Sequence, residues 1–182
     1  MSAMGASYSG ELKGNSIEGA FTQRGMTFPL NLEKSEKEAQ QVRPQDPHPP
    51  FDYRIEEVTF SNDKAGNTLT GTLTIPAGEG PFPALVLVSG SGQQNRDEEL
   101  MNHKPFLVIA DYLARQGIAT LRYDDRATGR SVGGEVKTAT SEDFARDAVA
   151  GIDFLRAKKA FSKVGILGHS EGGTIAFMLG ND

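Results

Sequence analysis

Residues 168 to 172, with the sequence GHSEG, form the segment whose residue types and spacing are best suited to chemistry. They match the pattern G-x-S-x-G, in which a serine stands on a sharp turn between a buried strand and a helix. An apolar run from Val164 to Leu167 precedes the pattern, and a helix-compatible segment from Gly172 to Leu179 follows it. The glycines relieve crowding in a strained turn that projects the hydroxyl above the sheet. We therefore interpret Ser170 as a candidate nucleophile.

Three histidines could activate that serine, at positions 48, 103 and 169. A serine hydroxyl is a weak nucleophile until a histidine accepts its proton and a carboxylate orients the histidine. His169 is adjacent to Ser170, and neighbouring side chains on such a turn point apart, so we expect a packed, hydrogen-bonded structural residue there rather than the base. His48 lies between prolines, where we expect an exposed bystander. Ser170 is thus a nucleophile without an obvious base.

Acyl transfer also needs backbone N–H donors for the oxyanion of the tetrahedral intermediate. In the G-x-S-x-G arrangement one donor belongs to the residue after the nucleophile, here Glu171, and the other to a loop after an earlier strand. The turn Ser89-Gly90-Ser91-Gly92 stands at the required place. We expect the amide of Ser91 to be the second donor, with the amides of Gly92 and Gln93 as alternatives.

The same glycines raise the competing interpretation of a dinucleotide-binding loop, because Gly90-x-Gly92 follows a strand pattern. That motif requires a third glycine, and Asn95 stands at its position. No helix pattern begins before Pro105, although the motif needs a helix directly after the loop. The segment is therefore not interpreted as a nucleotide site.

The apolar pattern between residues 51 and 182 predicts the elements that position these groups. Alternating runs from Tyr53 to Phe60 and from Thr68 to Ile75 predict an antiparallel hairpin, and the continuous apolar run from Phe82 to Val88 predicts a strand covered on both faces. The later predicted elements are a helix from Pro105 to Gln116, a strand from Ile118 to Tyr123, a helix capped by Ser141 with a stripe of Phe144, Ala148, Ile152 and Leu155, and a strand from Val164 to Leu167. This order predicts an α/β fold, with a mostly parallel sheet covered by helices.

The first part of the chain has a different pattern. Residues 7 to 32 alternate in polarity between glycine-bearing breaks and predict a small β-meander. Met26, Phe28, Leu30 and Leu32 recur at period two, so one face of that segment can be buried. The polar and then proline-rich segment 33–50 predicts an extended linker. We therefore predict a partial β-rich domain in residues 1–32, a linker in 33–50 and an α/β domain in 51–182.

Composition excludes several classes of function. The 182 residues carry a net charge of −5, and no basic run is present to neutralise phosphates, so nucleic acid is not expected as a partner. The chain contains no cysteine, which excludes thiolate catalysis, disulfides and cysteine-ligated metals. The longest apolar run is too short to span a bilayer. We predict a soluble protein, whose compartment is either the cytoplasm or, after removal of a signal peptide, the periplasm or the exterior.

Three segments resemble bacterial α/β-hydrolases of the carboxylesterase and serine aminopeptidase-like type. They are SGSGQQNRDE at 89–98, HKPFLVIADYLARQGIATLRYDDR at 103–126 and GHSEGG at 168–173. The resemblance covers residues 51–182 and implies an incomplete α/β-hydrolase fold, while segment 7–32 resembles the end of a domain that often precedes it. One departure is Ala127, where relatives commonly have glycine after Asp-Asp-Arg, and it leaves the tightness of that loop open.

The resemblance also implies where the partners of Ser170 are. In this fold the chain order is serine, acid, histidine, and the last two would follow strands that this sequence does not reach. Asp124, Asp125 and His103 are then expected to anchor loops rather than to catalyse. The strand 164–167 would be central in the fold, so we expect it to pair with another chain or with a missing C-terminal part.

These observations predict a serine hydrolase that cleaves small-molecule carboxylic esters through an acyl-enzyme at Ser170, with the amides of Ser91 and Glu171 as the oxyanion hole. No metal or organic cofactor is expected. The triad acid and histidine would be missing from this truncated chain, which alone would be inactive. Two alternatives stay open. One is a peptidase or amidase of the same fold. The other is a noncatalytic binding module, which the missing acid and base would favour.

Overall fold

The computed structural model describes residues 5–35 and 43–180. The chain divides into two compact units, Met1–Val42 and Arg43–Asp182. Part of the predicted linker, residues 36–42, lies outside the described residues, and the three-part division of the chain remains a prediction. Within the described ranges, no helix has both the length and the apolar character needed to cross a membrane.

The first unit contains a small antiparallel sheet. Its strands are β1 (Ala6–Lys13), β2 (Ser16–Gln23), β3 (Met26–Pro29) and β4 (Leu32–Glu33), and β2 pairs with each of the other three. The predicted meander is therefore confirmed. The tight turns between β1 and β2 and between β2 and β3 contain Gly14 and Gly25, both at positive φ, where a side chain would be strained.

The apolar face of this sheet is more exposed to solvent than the sequence pattern suggests. Tyr8 stands opposite Phe21, which stands opposite Phe28, so apolar residues collect on one face. The period-two residues, whose face can be buried in principle, are 42 to 59% exposed: Met26, Phe28, Leu30 and Leu32. A single sheet buries a face only when a second layer covers it, and the described part of this unit consists of one sheet.

The second unit has a mixed sheet with helices. Its elements are β5 (Arg54–Asn62), β6 (Asn67–Ile75), β7 (Phe82–Val88), α1 (Pro105–Arg115), β8 (Ala119–Tyr123), α2 (Ser141–Arg156), β9 (Phe161–Gly168) and α3 (Glu171–Leu179). The strand order is β5-β6-β8-β7-β9. The β5–β6 and β6–β8 pairs are antiparallel, whereas β8–β7 and β7–β9 are parallel. The α/β fold with an antiparallel hairpin at its start is confirmed.

The core lies between this sheet and its helices. Leu73, Val86 and Leu121, from three adjacent strands, are almost fully buried, as expected where helices cover a sheet. On α2, Ala148 and Leu155 are buried, while Phe144 and Ile152 pack against the core with partial exposure. The stripe predicted for this helix therefore faces the sheet.

The cap of α2 corrects one prediction. Thr140 rather than Ser141 is the N-cap, because its backbone is extended and its amide and hydroxyl both donate to Oδ2 of Asp143 at 2.9 Å. A carboxylate at the third position of a helix can accept hydrogen bonds from the capping residue, and here it selects Thr140 as the N-cap. The Ser141 hydroxyl donates instead to Oε1 of Glu171 at 2.6 Å, which ties the start of α2 to the start of α3.

The parallel pairing of β7 and β9 determines where the candidate site forms. Val88 at the end of β7 is in register with Gly168 at the end of β9. The carboxyl ends of parallel strands share one edge of a sheet, and ligands bind at that edge in α/β folds. The loop after β7 and the turn after β9 therefore leave the sheet side by side.

Candidate active site

Ser170 stands on a strained turn between β9 and α3. Its φ of 53° and ψ of −117° lie outside the regions that residues with side chains ordinarily adopt. The turn is closed by hydrogen bonds from the amides of Gly172 and Gly173 to the carbonyls of His169 and Ser170. The expected strain at Ser170 is confirmed, and its side chain lies at the exposed surface of the turn.

Backbone crowding explains the glycines that flank the serine. A Cβ on Gly168 would overlap with the carbonyl of Gly172, and a Cβ on Gly172 would overlap with the carbonyl of Val88. Both obstacles are main-chain atoms, which cannot rotate away as a side chain would. The turn is therefore pressed against the end of β7, where the candidate oxyanion loop begins.

The loop after β7 lies beside the serine. A Cβ on Gly90 would be 3.1 Å from the Cβ of Ser170 and 3.1 Å from Oε1 of Glu98, so a side chain at this position would crowd the nucleophile. Ser91 and Glu171 are the sequence-predicted oxyanion donors, and among the described residues their amides donate to no acceptor. Both N–H groups are thus free for a ligand, and their role remains a proposal.

Glu98 joins this loop to the turn. Its Oε1 accepts a hydrogen bond from the amide of Gly90 at 2.7 Å and lies 2.8 Å from Nδ1 of His169. The hydrogen-bonded state expected for His169 is confirmed. The expectation that its side chain is packed is wrong, since the ring is 68% exposed. The reason is that the ring reaches along the surface to Glu98 rather than into the core.

Two adjacent carboxylates at the end of β8 hold the same loop. Asp125 accepts hydrogen bonds from the Ser89 hydroxyl at 3.1 Å and the Gln94 amide at 2.9 Å. Asp124 accepts from the Arg96 amide at 2.8 Å and from Nη2 of its guanidinium at 2.7 Å. Both carboxylates are buried. The structure thus gives them the loop-anchoring contacts expected from the sequence.

The pKa values of these two carboxylates move in opposite directions. Burial raises the pKa of Asp125 to about 7, although hydrogen bonds from the Gln94 amide and the Ser89 hydroxyl oppose the rise. Burial also acts to raise the pKa of Asp124, but hydrogen bonds from the Arg96 side chain and from the Arg130 and Arg96 amides outweigh it, so that the pKa is lowered. The pKa values differ because Asp124 has a guanidinium partner, that of Arg96, whereas Asp125 has none among the causes of its shift.

The loop after Asp125 is tight despite its alanine. Ala127 has a φ of 52°, the left-handed conformation that glycine adopts without strain. Gly129 also has positive φ, and a Cβ there would collide with the Asp124 carboxylate. The departure at Ala127 therefore keeps the compact loop at the cost of local strain.

Neither of the other two histidines forms a hydrogen bond with the nucleophile within the described residues. Nδ1 of His103 is 3.4 Å from Nε2 of Gln45, and the backbones of His103 and Leu100 exchange hydrogen bonds, which agrees with a loop-anchoring residue. His48 is exposed, as expected. Within residues 5–35 and 43–180, the hydroxyl of Ser170 forms no hydrogen bond with a histidine or a carboxylate, and no cluster of three or more histidine, aspartate or glutamate side chains is placed to hold a metal ion.

A cavity of about 370 Å³ opens beside the turn. Its lining combines apolar and polar residues: Arg43, Gln94, Glu98, Leu100, Met101, His103, Pro105 and His169. That volume suits a small organic ligand. A larger cavity, of about 540 Å³, lies between the β5–β6 hairpin and α2 and does not include the turn that bears Ser170.

Comparisons with known proteins show which proteins the chain is similar to. A family model described as serine aminopeptidase, S33, matches residues 103–182. The chain is 40% identical over 121 residues to esterase EstD of Thermotoga maritima, an alignment that covers 66% of this chain and 29% of the esterase. The chain therefore spans less than a third of the length of that curated relative.

Solved structures show the same fold. A hypothetical protein from Pseudomonas aeruginosa has a TM-score of 0.58 and 25% identity, with 78% of this chain and 43% of that one covered. An esterase from Pyrococcus furiosus has a TM-score of 0.56 and 22% identity, with 69% and 44% covered. The chain therefore contains part of the α/β-hydrolase fold.

Proposed function

We propose that this chain carries the nucleophile and the oxyanion hole of a serine hydrolase that cleaves carboxylic esters. The observation that carries the proposal is the strained backbone of Ser170, at φ 53° and ψ −117°, at the carboxyl end of the parallel strands β7 and β9. A strained, exposed serine at a strand-to-helix junction is the arrangement that serine hydrolases of this fold use. The 40% identity to an esterase supports the ester as substrate class.

The proposed reaction is acyl transfer through Ser170. The Oγ of Ser170 attacks the carbonyl carbon of the ester, and its proton passes to a histidine base. The carbonyl oxygen becomes an oxyanion and accepts hydrogen bonds from the amides of Ser91 and Glu171. The C–O bond to the leaving group then breaks, and the alcohol departs with the proton from the histidine. Water attacks the acyl-Ser170 ester by the same steps and releases the acid.

The base and the acid that orients it come, in this proposal, from outside the 182 residues. Each of the three histidines is otherwise placed: His169 binds Glu98, His103 lies against Gln45, and His48 is exposed in the proline-rich segment. The open side of β9, which pairs only with β7 among the described strands, is where the completing polypeptide would join the sheet.

A peptidase or amidase of the same fold is the second candidate. The match of residues 103–182 to the serine aminopeptidase model favours it, because esters and amides are cleaved by the same nucleophile and oxyanion hole. Comparison of p-nitrophenyl esters with p-nitroanilide amides of the same acyl group separates the two. The proposed esterase has the higher kcat/KM for the ester after correction for the uncatalysed rates.

Labelling with a fluorophosphonate tests the nucleophile. The protein expressed from its complete natural reading frame is expected to take up the label on Ser170, and Ser170→Ala is expected to abolish labelling. Ser61→Ala is the matched control, since Ser61 is an exposed serine on β5 outside the site. Equal labelling of the wild type and of Ser170→Ala would show that another residue is the nucleophile.

A further inference from the structure

The two proposed oxyanion donors belong to different segments of the chain. Ser91 lies on the loop after β7, whereas Glu171 is the first residue of α3. An oxyanion hole stabilises charge only if both donors lie about 2.7–3.1 Å from the position that the oxyanion occupies. The separation of the two segments must therefore be held to within a fraction of an ångström.

One carboxylate oxygen links these two segments. Oε1 of Glu98 accepts the amide hydrogen of Gly90 at 2.7 Å and lies 2.8 Å from Nδ1 of His169. Gly90 directly precedes Ser91, and His169 is two residues before Glu171. The same atom thus contacts both halves of the proposed oxyanion hole, each within two residues of its donor.

This link also removes one neighbouring amide, that of Gly90, as an oxyanion donor. Because the Gly90 amide already donates to Glu98, it is not available to an oxyanion. The next amide along the loop, that of Ser91, has no acceptor among the described residues. Glu98 therefore fixes the orientation of the loop and leaves the Ser91 amide free.

The molecule keeps Glu98 in this position at an energetic cost. The residue is only 8% exposed, and a carboxylate removed from water is unfavourable unless donors compensate it. Its backbone has a φ of 51°, a left-handed conformation that is strained for a residue with a side chain and that is found at functional sites. The adjacent Glu99 is exposed and accepts only from the Asn95 side chain among the described residues.

We infer that Glu98 is a positioning residue that sets the geometry of the oxyanion hole by joining Gly90 to His169. The inference rests on the proposed serine hydrolase function. Glu98 acts through the donor amides of Ser91 and Glu171 and does not touch the substrate carbonyl. Its loss should raise the energy of the transition state more than that of bound substrate, because the oxyanion exists only in the former.

Kinetics of three variants test the inference in the protein expressed from its complete natural reading frame. With p-nitrophenyl butyrate as substrate, Glu98→Ala is expected to lower kcat about 10²-fold, the cost of a small misplacement of catalytic groups, while KM changes by less than about threefold. Glu98→Gln keeps an acceptor oxygen and should recover most of the loss. Glu99→Ala, the matched control, should leave kcat unchanged.

Inhibition by a trifluoromethyl ketone gives a second readout. This ketone forms a tetrahedral adduct with an oxyanion, so its inhibition constant should rise in Glu98→Ala by the same factor by which kcat/KM falls. His169→Ala removes an exposed ring and keeps the core intact, so it tests the link even if Glu98→Ala does not fold. It should lower kcat in the same way.

The outcomes separate this inference from the proposed function. Wild-type kcat in both Glu98→Ala and His169→Ala, or an equal loss in Glu99→Ala, would overturn the positioning role. A Glu98→Gln variant as impaired as Glu98→Ala would also contradict it, because the acceptor oxygen is retained. If Ser170→Ala is as active as the wild type, the proposed function itself fails.

Discussion

The carboxylate of Asp125 accepts the hydroxyl hydrogen of Ser89, whose Oγ lies 3.1 and 3.2 Å from the two carboxylate oxygens. The same carboxylate accepts the amide of Gln94 at 2.9 Å. It therefore holds both ends of the short loop that contains Ser91. Burial raises its pKa to about 7, whereas the neighbouring Asp124, paired with Arg96, has a lowered pKa.

The free energy of unfolding should consequently fall as the pH rises toward 7, and Asp125→Asn should remove this part of the pH dependence. The pKa of Asp125 is about 7 in the folded protein against an ordinary value of 3.8, so the folded state binds the proton more tightly. The stability that this group contributes is complete below its ordinary pKa and is lost as the pH rises toward 7. Urea unfolding between pH 4 and 8 should show that the free energy of unfolding of Asp125→Asn declines less steeply with pH than that of the wild type, by up to about 1.4 kcal/mol per pH unit.

Asp124→Asn serves as the matched comparison with the opposite sign. Its lowered pKa means that the carboxylate contributes stability above its ordinary pKa and loses it as the pH falls. Asp124→Asn should therefore lower the free energy of unfolding most at neutral pH, where the substitution leaves Arg96 without its charged partner. Identical pH profiles for the wild type and Asp125→Asn would show that Asp125 titrates normally.

The flanking glycines of the serine turn should differ sharply in their tolerance of alanine. Gly172→Ala places a Cβ on the carbonyl of Val88, and overpacking against rigid backbone costs at least about 1–3 kcal/mol. Gly173→Ala is the control, because its Cβ would meet nothing closer than 3.6 Å and alanine favours a helix. Thermal unfolding of both variants measures the difference. Equal melting temperatures would contradict the close approach of the turn to β7.

The strands and helices were largely predictable because the signals that define them are local. The continuous apolar run predicted β7 at its observed bounds, Phe82–Val88, and the alternating runs predicted the β5–β6 hairpin within a few residues. The cap of α2 was not predictable from residue type, since Thr140 and Ser141 are both good caps and Asp143 selects Thr140. Exposure of Phe28 was not predictable either, because periodicity shows which face is apolar and does not show what covers it.

The site was predictable where a short pattern imposes geometry. The G-x-S-x-G spacing, together with the apolar run before it and the helix-compatible segment after it, led to the strained turn, because its steric demands involve neighbouring residues. Glu98 was missed, although it lies in a segment that carries the family resemblance. Its partner His169 is 71 residues away in sequence, and nothing distinguishes Glu98 from Glu99 until the backbone folds and buries one of them.

The outer side of β9 leads to a prediction about association. Among the described strands β9 pairs only with β7, so its remaining N–H and C=O groups form an open sheet edge, which favours pairing with another chain. We expect the 182-residue chain to self-associate or to bind a completing polypeptide, as measured by sedimentation over a range of concentrations. A stable monomer whose amides in residues 164–167 exchange rapidly with solvent would contradict this expectation.

The 182-residue chain alone should be essentially inactive as an esterase even when folded. No described histidine is placed to accept the proton of Ser170, and loss of a triad member costs about 10⁴- to 10⁶-fold in turnover. Hydrolysis of p-nitrophenyl butyrate by this chain should stay near that of its Ser170→Ala variant. Turnover by the chain alone that Ser170→Ala abolishes would mean that His48, His103 or His169 acts as the base.

The central claim, that Ser170 forms an acyl-enzyme, is tested most directly by mass spectrometry during ester turnover. The protein from its complete natural reading frame is mixed with p-nitrophenyl butyrate, quenched in acid within one turnover, and digested. We predict that the peptide containing Ser170 gains the mass of one butyryl group, and that Ser170→Ala shows neither the adduct nor the burst of p-nitrophenol. A butyryl adduct on a different residue, or steady turnover in Ser170→Ala, would contradict the account.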